Sequence, residues 1–172
     1  MMNIFNKSFT LKKIQPGTVC KFKYIKPGFD SNMNLKEHYY LLLTMADGSL
    51  LIFVMFTSKV EKTKERYIKT LNKEAYESLV EISKTDFNFL TTLSIIDCNS
   101  PIYGSVEEIS ASIVGEVEVI STDIGAKLFN KIIDAVIDSP MVPSELKGKL
   151  RLCGTSAEPT KTKASQELTH KA

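Results

Sequence analysis

The stretch Lys36–Lys59, KEHYYLLLTMADGSLLIFVMFTSK, holds two apolar runs joined by a turn. Tyr39–Met45 and Leu50–Phe56 are dense in Leu, Ile, Val, Phe and Tyr, with Ala46-Asp47-Gly48-Ser49 between them. Asp-Gly flanked by such runs is a strong hairpin signal, because the tight turns that suit strand twist need residues tolerant of positive φ. In a hairpin the start of one strand lies beside the end of the other. The pairing therefore brings His38 to Thr57, Ser58 and Lys59, a polar quartet at the open end of an apolar hairpin and the best candidate site in the chain. Each member also has an ordinary use. A histidine at a strand start is commonly a hydrogen-bonded structural residue, and Thr-Ser after a strand commonly shapes a turn or caps a helix.

A chain of 172 residues with 43% hydrophobic content is long and apolar enough for one packed domain. Met1–Leu11 lacks the continuous apolar segment of a signal peptide, and the longest apolar run, Leu50–Phe56, falls far short of the roughly 20 residues of a membrane span. Both observations point to a cytoplasmic protein. Cys20, Cys98 and Cys153 are odd in number and show no CxxC spacing, and His38 and His170 lie far apart, so no disulfide framework, metal site or cofactor is expected. The net charge of +2 hides an asymmetry: residues 1–70 carry twelve Lys/Arg against five acids, and the remainder is net acidic. A basic half of this kind suits a polyanionic partner or a solvated lysine-rich surface. Only Arg66 and Arg151 are arginines, which disfavours base-specific readout of DNA.

Outward from the hairpin, Met1–Ile14 reads as a short arm or strand and Gln15-Pro16-Gly17 as a turn. Thr18–Ile25 alternates Cys20, Phe22 and Tyr24 with Lys21 and Lys23, the pattern of a half-buried strand with a basic outer face. The polar loop Phe29–Glu37 delivers the chain to His38. Downstream, Val60–Thr85 is charged and weakly patterned. Within it Lys73–Ser83 has helical spacing, with a strand over Leu79–Ser83 as the alternative. Thr91–Asp97 reads as a strand ended by a turn at Cys98-Asn99-Ser100-Pro101; Val106 and Ile109 anchor a short polar segment; Ile113–Ile120 alternates as a strand. Ile124, Leu128, Phe129, Ile132, Ile133, Val136 and Ile137 form one stripe of a helix over Thr122–Asp138, capped by Ser121 or Thr122, and Pro143 opens a second helix, Ser144–Leu152. Residues 1–152 then form the domain, and 153–172 have the composition of a disordered tail. Strands first and helices last indicate an α+β fold, a small antiparallel barrel or strongly bent sheet carrying a C-terminal helix.

Over roughly residues 17–138 this order resembles the PemK/MazF-like toxins, the toxin half of bacterial toxin–antitoxin pairs. The resemblance rests on Lys36-Glu37-His38, Tyr39–Leu43, Phe53–Phe56, Thr57-Ser58-Lys59, Ser94–Asn99, Val106–Ile113 and the helix from Asp123. It implies an SH3-like barrel, a homodimer, an antitoxin partner of protein or RNA, and metal-independent cleavage of single-stranded RNA with the 2′-hydroxyl as nucleophile. His38 stands where the family has an Arg-Pro pair. On this resemblance the catalytic residues are His38, Thr57, Ser58 and Lys59, and Lys21, Lys23, Lys26, Lys36, Lys62 and Lys64 bind RNA.

Such cleavage needs a base for the 2′-hydroxyl proton, an acid for the leaving 5′-oxygen, and donors for the charged phosphorane. His38 suits either proton-transfer role near neutral pH. Lys59 and Lys36 suit the phosphate, and Thr57 and Ser58 can donate to its oxygens. Glu37, the adjacent acid, is expected to point to the opposite strand face. Two other classes fit the same residues: a noncatalytic barrel that inhibits a partner enzyme such as DNA gyrase, and an interaction module of a phage or mobile element.

Overall fold

The computed structural model describes residues 4–26, 35–46, 50–72 and 74–154. Its centre is the expected hairpin. Strands β2 (His38–Ala46) and β3 (Leu50–Thr57) pair antiparallel, with Tyr40 opposite Met55 and Leu42 opposite Phe53. The Asp47-Gly48-Ser49 turn itself lies outside the described residues. Side chains alternate across a strand. Leu41, Leu43, Ile52, Val54 and Phe56 therefore enter one apolar cluster, while Tyr40, Leu42, Leu51 and Phe53 enter a second on the other face. Both faces being covered explains why the two runs are continuously apolar rather than alternating.

Six strands make one antiparallel sheet in the order β4-β5-β3-β2-β1-β6, adding β1 (Val19–Tyr24), β4 (Leu79–Ile82), β5 (Ser94–Ser105) and β6 (Ile113–Ser121). The fold is α+β, as expected. Among the described residues β4 and β6 are the two edges, with no pairing between them, so the sheet is open. Helices α4 (Ala126–Asp138) and α5 (Ser144–Gly154) cover the first face through Ile132, Val136, Leu146 and Leu150, with Val142 from the connection between them. Helices α1 (Ile4–Lys13) and α3 (Val106–Ser112) cover the second through Leu11, Val106 and Ile109, with Ile14 just after α1.

Several expectations are corrected. The N-terminal arm or strand is helix α1: Leu11 is buried, Lys7 Nζ donates to the Ile113 carbonyl at 2.6 Å, and Ser8 Oγ meets Ser110 Oγ at 3.0 Å. Spacings of three and four residues set these anchors on one helical side. The helix over Lys73–Ser83 is only a 3₁₀ turn, Glu74–Ser78, and the strand alternative holds as β4. The expected turn at Cys98–Pro101 is a bulge inside β5. Met55 pairs with Asp97 while Phe53 pairs with Ile102, so the four intervening residues of β5 lie opposite the single Val54 of β3. Proline lacks the ladder donor and is tolerated in such a bulge. The charged stretch after the hairpin is helix α2 (Val60–Arg66), continued by a π-helical turn, Tyr67–Leu71. α4 starts at Ala126 rather than Thr122. Gly125, at φ 78°, precedes it, and Asp123 accepts the Gly125 N–H at 2.7 Å. The segment Val106–Ser112 is anchored by buried Val106 and Ile109, and a reciprocal Ser105–Glu108 capping box starts its helix. Cys153 and Gly154 still belong to α5, and residues 155–172 of the expected tail lie outside the described residues, as do residues 27–34 of the loop before His38. No helix among the described residues is long and apolar enough to cross a membrane.

Candidate functional site

His38 opens β2 opposite Phe22 of β1, and its ring stands edge-on to Tyr40, centroids 6.4 Å apart at 79°. Phe22 and Tyr40 belong to the cluster under α1 and α3, so His38 shares that face at its half-open end. Burial lowers its pKa below the ordinary 6.5, the charges of Lys59 and Lys36 lower it further, and a backbone hydrogen bond at Phe56 opposes them. The imidazole is thus biased toward its neutral form, a base with two cations beside it.

Pairing of Tyr40 with Met55 places Thr57, two residues beyond Met55, on the same face as His38. The charge of Lys59 also reaches the imidazole. Thr57 Oγ1 accepts the backbone N–H of Lys59 at 3.2 Å, and the Lys59 carbonyl accepts the Thr63 N–H at 2.9 Å as α2 begins. The Thr57 hydroxyl thus shapes the turn that presents Lys59, and its own proton can still be donated. Ser58 and Lys59 are exposed.

The lysines expected to bind RNA do not all share the His38 face. Lys21 lies on the opposite face, with Glu37 Oε2 at 3.0 Å and Glu118 Oε2 at 3.9 Å. This contact also fixes Glu37 away from His38, as the strand alternation requires. Lys23, two residues from Lys21, shares its side of β1. Lys64 is bound to Glu81. Lys26, Lys36 and Lys62 are exposed, and of these Lys36 acts on His38. Among the described residues no three His, Cys, Asp or Glu side chains gather as metal ligands.

A further polar group on the His38 face was not anticipated. Asp97 pairs with Met55, whereas its neighbours Ile96 and Cys98 enter the opposite cluster, so Asp97 points to the same side as Met55 and Thr57. The Tyr67 hydroxyl lies 2.9 and 2.8 Å from the two Asp97 oxygens, and the Asn99 N–H donates to Asp97 Oδ1 at 3.0 Å. Arg66 reaches over this pair: one guanidinium nitrogen is 3.2 Å from the Tyr67 hydroxyl and 3.8 Å from Asp97 Oδ2. Asn99 continues inward, donating to the Ala75 carbonyl at 2.8 Å and accepting from Ser139 Oγ at 2.6 Å. The available signal was Asp97 and Asn99 themselves. Polar residues inside the apolar run SIIDCN imply buried partners, but the partners are 30 and 40 residues away. The chain matches no protein-family model. No curated protein matches it either.

Proposed function

We propose that the protein is a metal-independent endoribonuclease of the PemK/MazF-like kind, acting on single-stranded RNA. The observation that carries the reading is the imidazole of His38, held toward its neutral form by burial and then by the charges of Lys59 and Lys36, and sharing a sheet face with Thr57. Neutral His38 takes the proton of a 2′-hydroxyl as that oxygen attacks the adjacent phosphorus. The P–O5′ bond breaks, the 5′-oxygen leaves as a hydroxyl after gaining a proton from the imidazolium or from water, and a 2′,3′-cyclic phosphate remains. Lys59 and Lys36 hold the phosphate as point charges, and Thr57 and Ser58 donate to its non-bridging oxygens.

An SH3-like barrel accords with the strand order. β5, β3, β2 and β1 are neighbours, and the single short helix α3 returns β6 to the far side of β1. In this reading the protein is a cytoplasmic homodimer neutralised by an antitoxin of protein or RNA.

The test is inducible expression in a bacterium of wild type, His38→Ala and Thr57→Ala, with total RNA examined alongside growth. The expected result is growth arrest with fragmented RNA that both substitutions abolish. Arrest with intact RNA overturns the nuclease and favours inhibition of a partner enzyme, whereas no arrest favours an interaction module.

A further inference from the structure

The geometry points to a guanine-binding pocket beside His38, with Glu108 as the group that reads the base; the inference rests on the RNA-cleaving reading above. The pocket is a cavity of about 480 Å³ whose lining includes Tyr24, Tyr103, Gly104, Glu108, Ser112 and Lys149. That volume falls within the roughly 300–1,000 Å³ of small-ligand sites. Its place follows from strand register. Phe22 pairs with His38, and Tyr24 stands two residues further along β1 on the same face. Tyr24 is therefore about 5 Å across and about 7 Å along from His38. Tyr40 links the two. Its ring centroid is 6.4 Å from that of His38, and its hydroxyl is raised in pKa by burial and then by the Tyr24 phenol. A base in the pocket and a phosphate at His38 can thus belong to neighbouring parts of one strand.

The lining gives the pocket its chemistry. Tyr103 is 50% exposed, and an open aromatic ring at a cavity is a stacking platform for an unpaired base. Glu108 supplies recognition. Its Oε2 accepts the Ser105 N–H at 2.8 Å in the capping box, while Oε1 meets no donor among the described residues. Gly104 makes room for this carboxylate, since a Cβ there would stand 3.0 Å from Oε2. Lys149 is met by Glu145 at 3.0 Å rather than by Glu108. The Tyr24 hydroxyl shares a hydrogen bond with Ser112 and forms the wall nearer His38. An ionised carboxylate only accepts, and each of its oxygens has more than one lone pair. Guanine carries two adjacent donors, N1–H and the 2-amino group, on its pairing edge. Adenine, cytosine and uracil each set an acceptor beside their donor there. Single-stranded RNA is read on that edge by stacking and hydrogen bonds, so a carboxylate beside a stacking ring selects guanine.

The experiment uses the full chain and a single-stranded RNA of mixed sequence, made either with guanosine or with inosine, which lacks the 2-amino group. Binding, cut positions and thermal melting are measured for wild type, Glu108→Gln and Tyr103→Ala. Wild type is expected to cut beside guanosine and to bind the guanosine RNA about 10-fold more tightly than the inosine RNA. Glutamine also serves in a capping box, so Glu108→Gln should melt like wild type while it erases that difference and scatters the cut positions. Tyr103→Ala should weaken both RNAs alike, by about 10-fold. Equal binding of the two RNAs by wild type, a wild-type preference kept by Glu108→Gln, or unchanged binding by Tyr103→Ala overturns the inference. Fragmentation of either RNA then leaves the nuclease reading standing. If wild type binds without cutting, the nuclease reading falls and the guanosine–inosine difference alone decides the pocket. If wild type neither binds nor cuts, both are overturned. If Glu108→Gln melts early, the comparison of the two RNAs on wild type decides.

Discussion

At the residue scale the defining fact is that one imidazole is half-buried against an apolar wall and feels the charges of two lysines. All three lower the affinity of His38 for a proton, the wall most. The folded protein therefore binds this proton less tightly than the unfolded chain does. His38 contributes stability that is present above the unfolded pKa of 6.5 and is lost as pH falls through the lower folded value. The same shift places the acid limb of any base-catalysed rate below pH 6.5. A proton NMR titration has only His38 and His170 to resolve. His38 should show a midpoint under 6.5, and Lys59→Ala should move that midpoint and the acid limb upward. A His38 midpoint at or above 6.5 in wild type contradicts this account. Tyr67 is the second informative residue. Its hydroxyl is the principal buried donor to Asp97, so Tyr67→Phe leaves a buried carboxylate short of a partner. The expected cost is about 1–3 kcal/mol in chemical denaturation, and an unchanged midpoint refutes the pairing.

At the element scale, strands whose burial is visible in local pattern were legible and elements defined by distant partners were not. The β2–β3 hairpin, β1, β6, α4 and α5 announce themselves through apolar runs, alternation or a helical stripe. Helix α1 did not, because Leu11 is buried near its C-terminal end and Ile14 just beyond it, while Phe9 is 58% exposed. Cys98–Pro101 looked like a turn because Asn, Ser and Pro are turn formers, yet strand pairing resumes at Ile102 opposite Phe53. The site divides in the same way. His38, Thr57, Ser58 and Lys59 are joined by the register of one hairpin, which sequence can supply. Arg66, Tyr67 and Asp97 are joined by packing of a π-helical turn on β5, which has no local signature. Fully buried Phe53 packs edge-on to Phe22 at 5.7 Å within the cluster that also holds Tyr40, the neighbour of His38. Phe53→Ala should cost about 3–5 kcal/mol, whereas Phe9→Ser on the exposed side of α1 should cost well under 1 kcal/mol. Equal losses in urea melts would contradict the burial assigned to the two rings.

At the scale of the whole molecule, three layers share the load: helices α4 and α5, the sheet, and helices α1 and α3. Neither helical layer alone protects the hairpin, because each covers a different set of its side chains. A chain ended after Asn99 retains β1 to β4 but lacks α3, β6, α4 and α5. Such a fragment should be insoluble or should bind a hydrophobic dye strongly, and a soluble, cooperatively melting fragment would show that the hairpin needs fewer partners. Cys20 and Cys98 lie one on each face of the sheet. Burial pushes Cys20 up to about 12 and raises Cys98 as well, so both thiols should resist alkylation until the layers separate.

The pairing of β1 with β6, Val19 against Ser121, carries a consequence for synthesis. A ribosome releases the hairpin early and must translate some sixty further residues before the strand that flanks β1 exists. During that interval the most apolar part of the chain waits with one helix of its cover made and three still to come. His38 and Thr57 can meet as soon as the hairpin closes, but Asp97 arrives later. The nascent chain therefore holds part of this polar group well before it holds all of it.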